Sequence, residues 1–451
     1  MRFAARSTLD PYDSEMSPIE PGGLARVLTP PGVTDDGLAF SSIVHVNEKG
    51  GRFGGTEEYI DLITPELFRR GVRSHVVCGR VVGDLPAMVD STLVIEGLAD
   101  RTPGSGIPDA VSRAVGSLDA DVVYLHNLFD PAVVTTLARS EPQAVVVWYV
   151  HDHYVTCLSE LRWRHDHGAC GERLGTGCLT AIDRGHCVLR YPDRAVGPGE
   201  LRRRRALNAS LGAVDAIIVV SDYMRRLLVD AQPELRQRIH LVPRPIRDLG
   251  APPIRARAAH DPAVITFAGR VTPEKGLDVL IEALAACRSR APIELRIAGA
   301  IEHPAYWRHC QTLLERATQR NLQLRFTTLG HLDYDGIDEL FRASDIVVVP
   351  SQWPEPLGCV ALEAMSAGAA VIASQIGGLA GSIKHAENGL LVRPAASQAW
   401  TAALDGLLDD PDRARRLGEH AARNRRRVSA AAHVETLDRI VRQARRRRRS
   451  A

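Results

Sequence analysis

The 451-residue chain is poor in cysteine, poor in aromatics and nearly neutral, and each shortage excludes a class of protein. Eight cysteines are too few for a disulfide scaffold. Cys78, Cys287, Cys310 and Cys359 are scattered, as buried or free thiols are in a reducing compartment. Lys and Arg number 56 against 54 Asp and Glu, and a net charge of +2 gives no global field for nucleic acid. The positive charge is local instead, in arginine runs at 202–205, 425–427 and 445–449. No apolar run approaches the ~20 residues of a membrane-spanning helix. The longest, AVVVWYV at 144–150, has the length of a strand. The first residues lack the apolar centre of a secretion signal, so a cytoplasmic protein is expected. What remains is ordinary for a globular protein, 45% apolar and 24% charged. At about 150 residues per domain, the length predicts two or three domains.

Residues 1–37, rich in Pro, Gly, Ser and Asp, read as a mobile leader. From Leu38 onward, short β-branched runs alternate with amphipathic stretches, the pattern of parallel sheets wound with helices. Strands are predicted at 42–46, 74–78, 91–95, 122–126, 145–150, 216–220 and 239–242. A helix at 57–70 carries Ile60, Ile63 and Leu67 on one face, and Pro65 within it predicts a bend or restart. Residues 249–262 turn Pro-, Ala- and Arg-rich and read as a linker between a domain at 38–248 and a second at 263–430. In the second series, strands at 264–268, 294–298, 324–327, 346–349 and 370–373 alternate with helices at 277–287, 306–318, 334–343 and 359–366. A helix and basic tail close the chain at 431–451, where the final arginines suit a solvated tail. The fold class is α/β, two doubly wound Rossmann-like domains facing each other across a cleft. Ligands of such sheets bind beyond the carboxyl ends of the strands, so site residues belong at strand-to-helix turns.

Four such turns carry chemistry. In SQWPEPLGCVALEAMSAG, Pro354 and Pro356 hold Glu355 in an extended loop, and Glu363 lies eight positions on, inside the following helix. The two carboxylates suit sugar and ribose hydroxyls. Backbone N–H groups from Gly358 onward suit an anionic oxygen at a helix start. In FAGRVTPEKG, Arg270 and Lys275 follow a strand, a planar fork and a point charge suited to a diphosphate, while Glu274 reads as a surface residue. In GGRFGGTE, Gly54 and Gly55 permit close backbone approach and Thr56 is a plausible helix cap. His151, in His151-Asp152-His153, ends the strand VVVWYV and can donate to a hydroxyl or carbonyl.

GRVTPEKG, then PSQWPEPLGCVALEAMSAG, VIASQIGG and ENGLLV, in that order, resemble the retaining glycosyltransferases of family 4, which have the two-domain GT-B architecture. The likeness spans roughly residues 42–417 and is most specific in the second half. It implies transfer of a hexosyl-type sugar from a UDP-, GDP- or ADP-sugar to an acceptor hydroxyl, with no metal or other cofactor required. Carried over by position, Arg270 and Lys275 look like the diphosphate clamp, Glu355 like the first Glu of the E-x7-E motif on the donor sugar, and Glu363 like the second, on the ribose. Leu357 and Gly358 match the turn meeting sugar and phosphate, Gly54 and Gly55 the loop closing over the substrates, and His151 the histidine near the sugar's hydroxymethyl group. Three places depart from the pattern. VPNGVD reads VPRPIRD at 242–248, an aromatic before Gly358 reads Leu357, and the GH dipeptide reads Gly71-Val72.

Cys157, Cys170, Cys178 and Cys187, with His165, His167 and His186 among them, mark an acceptor-side insertion at 157–187. With no C-x-x-C pair, free thiols, disulfides and a structural zinc remain open. The run 202–205 suits either solvent or an anionic lipid headgroup, which would bring the protein to the inner face of a membrane. No residue marks a covalent nucleophile, so front-side displacement is the expected course. The competing activities are a hydrolysing sugar-nucleotide epimerase on the same fold and a non-catalytic sugar-nucleotide-binding protein. A nicotinamide oxidoreductase is disfavoured, because neither half has G-x-G-x-x-G. On this reading the acceptor is of one of three kinds: a polysaccharide, a glycolipid or a natural product.

Overall fold

A computed structural model describes residues 37–51, 54–101, 104–164, 168–191, 195–247, 261–423 and 428–450. The expected leader and linker, along with His165, His167, Asp248 and the 425–427 arginines, therefore fall almost wholly outside the described residues. In chain order the strands are β1 (Ser42–Gly50), β2 (Arg73–Val81), β3 (Ser91–Val94), β4 (Val122–Leu125), β5 (Val145–Val150), β6 (Trp163–Arg164), β7 (Gly168–Ala169), β8 (Ala216–Val219) and β9 (Ile239–Leu241). There follow β10 (Ala263–Ala268), β11 (Ile293–Ala298), β12 (Leu324–Gly330), β13 (Ile346–Val349), β14 (Ala370–Ser374) and β15 (Leu390–Val392). The first sheet runs β3-β2-β1-β4-β5-β8-β9, the second β12-β11-β10-β13-β14-β15, and every recorded pairing within them is parallel. β5 is buried along its whole length, as a parallel strand covered on both faces must be.

One strand end and one helix differ from expectation for physical reasons. β1 extends to Gly50 because its pairing with β2 continues to Gly50–Val81. The helix Gly55–Arg69 runs through Pro65 without a break, correcting the predicted restart. Tyr59, Ile60, Ile63 and Leu67 anchor it in the core on both sides of the proline.

In each sheet the chain order reverses once, beside β1 and β4 in the first sheet and beside β10 and β13 in the second. Those are the switch points where doubly wound sheets open a crevice. After the second sheet is complete, the helix Ala430–Ser450 returns to the first domain and buries Val434, Leu437, Ile440 and Val441 in its core. Three of the five terminal arginines are bound to the first domain and not a solvated tail. Arg448 Nη2 lies 2.6 Å from Asp215 Oδ2, Arg445 reaches Asp121 at 3.3 Å, and Arg447 donates to the Gln237 carbonyl at 2.9 Å. Among the described residues, no helix is long and apolar enough to cross a membrane.

Candidate active site

At the carboxyl end of β10 the backbone turns through Gly269 into Arg270. The one-turn helix Pro273–Lys275 follows and ends at Gly276, whose φ of +71° is left-handed. A Cβ on Gly276 would meet the Pro350 carbonyl at 2.1 Å, so only glycine lets this turn lie against the end of β13. Gln352 N–H donates to the Glu274 carbonyl at 2.8 Å, tying the two strand ends together.

That contact sets Lys275 beside Glu355. Lys275 Nζ is 2.6 Å from Glu355 Oε1 and 5.4 Å from the centroid of the Trp353 ring. Ser351 Oγ donates to the same oxygen at 2.7 Å, and Trp353 Nε1 at 3.2 Å. Burial alone would raise the Glu355 carboxyl. The Lys275 ammonium and these donors outweigh it and hold the group below the ordinary carboxylate range. The loop is gripped from behind by the Gly377-Gly378 turn, where Gly378 N–H donates to the Glu355 carbonyl at 2.7 Å. A Cβ on Gly377 would strike the same carbonyl at 2.5 Å.

Arg270 comes to the same strand end but turns elsewhere. Its guanidinium pairs with Glu302 at 2.8 Å and Glu274 at 3.1 Å. Glu274 is therefore a buried partner and not the surface residue its sequence context suggested. The structure brings Lys275 and Glu355 into contact and leaves Arg270 one acidic residue away.

Glu363 belongs to a second group on the far side of the Gly358 turn. Burial first and the nearby Glu58 second push its carboxyl well above the ordinary range, while Arg244 opposes them. Arg244 is buried, pairs with Glu58 and lies 3.8 Å from where a Cβ of Gly55 would stand. Sequence reasoning missed Arg244 as a site residue. Its signal was the departure at 242–248, where an arginine stands in VPRPIRD.

Gly358 caps the helix Cys359–Ser366 at φ +84°, and a Cβ there would lie 2.2 Å from Leu379 Cδ2. Leu357 beside it is buried among the side chains of the first domain's core, so this turn also joins the two domains. Gly54, not Thr56, caps the helix Gly55–Arg69. Thr56 falls inside it, and its Oγ1 accepts from Asn127 Nδ2 at 2.9 Å.

The histidines after β5 divide their work. His153 Nε2 donates to the Pro354 carbonyl at 2.8 Å, a bond from the first domain to the residue preceding Glu355. Burial drops the His153 ring to about 3, so it stays neutral. His151 Nε2 lies 3.0 Å from His126 Nδ1, and His126 Nε2 lies 3.0 Å from His45 Nδ1. Burial holds all three rings neutral, so one proton direction must run through the chain. His45 Nε2 has no partner among the described residues. A buried orphan N–H is rarer than a buried orphan acceptor, which puts the His45 proton on Nδ1, facing His126. His126 then donates to His151 Nε2, and His151 carries its own proton on Nδ1, as a donor.

The 202–205 run is half turned inward. Arg204 is fully buried against Glu160 at 3.1 Å and Glu200 at 2.9 Å, and Arg203 pairs with Glu200 at 2.6 Å. Arg202 and Arg205 remain exposed, so only part of the run faces outward. Cys157, Cys170, Cys178 and Cys187 line one small cavity.

Residues 53–248 match the family model described as Glycosyltransferase Family 4, and residues 254–424 match that described as Glycosyl transferases group 1. The chain is 27% identical over 409 residues to a D-inositol 3-phosphate glycosyltransferase of Nocardia farcinica, covering 86% of this chain and 84% of that protein. A D-inositol 3-phosphate glycosyltransferase of Corynebacterium glutamicum is 36% identical over 188 residues, 40% of this chain and 43% of that protein. In fold the chain resembles Anabaena HepE in complex with UDP and glucose, with a TM-score of 0.63 and 18% identity over 89% of this chain and 100% of that one. It likewise resembles sucrose-phosphate synthase from Thermosynechococcus elongatus, with a TM-score of 0.64 and 19% identity over 89% of this chain and 98% of that one. Both domain models, in order and on the two sheets, place the chain in the group 1, family 4 glycosyltransferases, with the GT-B fold.

Proposed function

We propose that this glycosyltransferase moves a hexosyl-type sugar from a nucleoside-diphosphate-sugar to an acceptor hydroxyl, with retention at the anomeric carbon and no metal in the chemical step. The observation that carries the proposal is the Lys275–Glu355 contact at the joined ends of β10 and β13. Among the described residues, the donors to Glu355 recorded by distance all reach Oε1, which leaves Oε2 to accept from a sugar hydroxyl. The carboxylate is held ionised, which makes it the stronger acceptor. Lys275 is then the fixed cation beside the departing diphosphate, and Arg270 the nearby fork that exchanges a partly exposed Glu302 for a phosphate oxygen. The N–H groups at the Gly358 helix start add a third source of positive potential. The acceptor hydroxyl attacks on the face the diphosphate leaves, and the leaving phosphate oxygen takes its proton. Glu363 and Arg244 lie on the nucleoside side of this arrangement.

Thermal-shift screening against UDP-, GDP- and ADP-sugars identifies the donor, because a ligand that binds only the folded state raises its stability. Transfer is then followed with a panel of hydroxyl acceptors that includes D-inositol 3-phosphate, the compound in the relatives' names. The expected result is an α-linked product from an α-linked donor without added metal. An inverted product, or release of epimerised free sugar without an acceptor, overturns the proposal.

A further inference from the structure

Beyond Arg162, the stretch between β5 and the helix Pro198–Ser210 has no core of its own among its described residues. From Gly168 to Arg190, none of the described residues is buried. The helix Thr176–Asp183 within it buries no residue, and β6 and β7 pair over two residues each. So small a module, hiding so little apolar surface, cannot offset its loss of chain entropy unless a crosslink or a metal holds it. Its four cysteines, Cys157, Cys170, Cys178 and Cys187, all line one cavity, and the chain's other four do not.

We propose that these four thiols bind one zinc-class divalent cation, which staples the insertion to the first domain. A soft sulfur set selects such a cation, and four sulfurs close a structural site. Binding writes as Zn²⁺ plus four thiols giving a tetrathiolate complex of charge −2 and four protons. The surroundings suit that charge. Arg162 lines the same cavity, with a buried Nε that has no partner among the described residues. Its Nη2 holds the Cys170 carbonyl at 2.8 Å and the Glu172 carbonyl at 3.1 Å, which fixes the loop bearing the second thiol. The eight cysteines are unbridged, and no three metal-binding side chains among the described residues stand in metal-holding geometry. Closing the site therefore takes rotation of the cysteines about their single side-chain torsion.

The test is metal content of the full-length chain, purified under reducing conditions from zinc-supplemented cells. One zinc per chain is expected, lost in Cys170→Ser and in Cys187→Ser and kept in the control Cys287→Ser. Should the serine variants fail to fold, wild-type protein stripped by chelator and titrated with Co²⁺ gives the answer. A saturable one-equivalent rise of thiolate-to-cobalt charge-transfer and tetrahedral d–d bands supports the site. No stoichiometric zinc together with no cobalt spectrum overturns it, as does mass spectrometry showing the four cysteines joined as disulfides in the native protein.

Discussion

Lys275 Nζ stands 2.6 Å from Glu355 Oε1, and the two residues reach that contact from eighty positions apart in the chain. The geometry makes the pair a unit, in which removing Lys275 leaves the buried Glu355 carboxylate without its counter-charge. Lys275→Met is expected to lower turnover on the order of 100-fold or more, the usual effect of deleting one preorganised charge donor. It is also expected to destabilise the fold by about 3 kcal/mol, because it strands a buried carboxylate. Steady-state kinetics and denaturant unfolding check both. The double variant Lys275→Met with Glu355→Gln should recover much of the stability and none of the turnover.

The histidine chain gives a prediction about His126, a positioning residue remote from the Lys275–Glu355 pair. His126→Leu removes the donor to His151 Nε2 and frees His151 to change tautomer. A fall in kcat of about tenfold, with donor KM little changed and the melting temperature nearly kept, is expected from loss of one oriented hydrogen bond. Equal losses from His126→Leu and His126→Asn in kcat and in stability would mark the role as packing alone.

The raised Glu363 carboxyl predicts how the site responds to pH. A carboxyl whose folded pKa lies above its unfolded value contributes stability at low pH. That contribution is lost as the pH rises through the folded value. The melting temperature should therefore fall across the window from the ordinary carboxylate pKa to the raised one. Glu363→Gln should flatten that part of the profile. Removing the neighbouring negative charge with Glu58→Gln should move the fall to lower pH. Donor affinity should follow the opposite course, rising as Glu363 ionises.

Gly358→Ala tests the turn that joins the domains. The left-handed backbone costs about 1–2 kcal/mol for a residue with a Cβ. Overlap with Leu379 adds about 1–3 kcal/mol of overpacking. Denaturant unfolding should show a loss of about 2–5 kcal/mol. A change within the error of the measurement would mean that the turn relaxes freely.

Truncation before residue 430 removes a helix that follows the second domain in sequence and belongs to the first in space. It uncovers the core face filled by Val434, Leu437, Ile440 and Val441 and breaks the Arg448–Asp215 pair. The truncated chain should lose solubility, or melt its first domain separately and earlier, in calorimetry.

The sequence alone determined whatever is written in local pattern. Alternating β-branched runs and 3.6-residue periodicity placed the strands of the first sheet and all of the second but the three-residue edge strand β15, because burial on both faces of a parallel sheet demands continuous apolar segments. Motif order placed Lys275, Glu355, Gly358 and His151 at strand ends. Long-range partners were not legible, because nothing in the composition near Glu274 or Arg204 reports the side chain each meets across the fold. Only tertiary structure decided that Arg270 turns to Glu274 and Glu302, that Arg244 sits against Glu58, and that the basic C-terminal helix packs under the first domain. In each case a charged side chain chose the partner that burial made hardest to leave unpaired, and burial is a property of the folded chain as a whole.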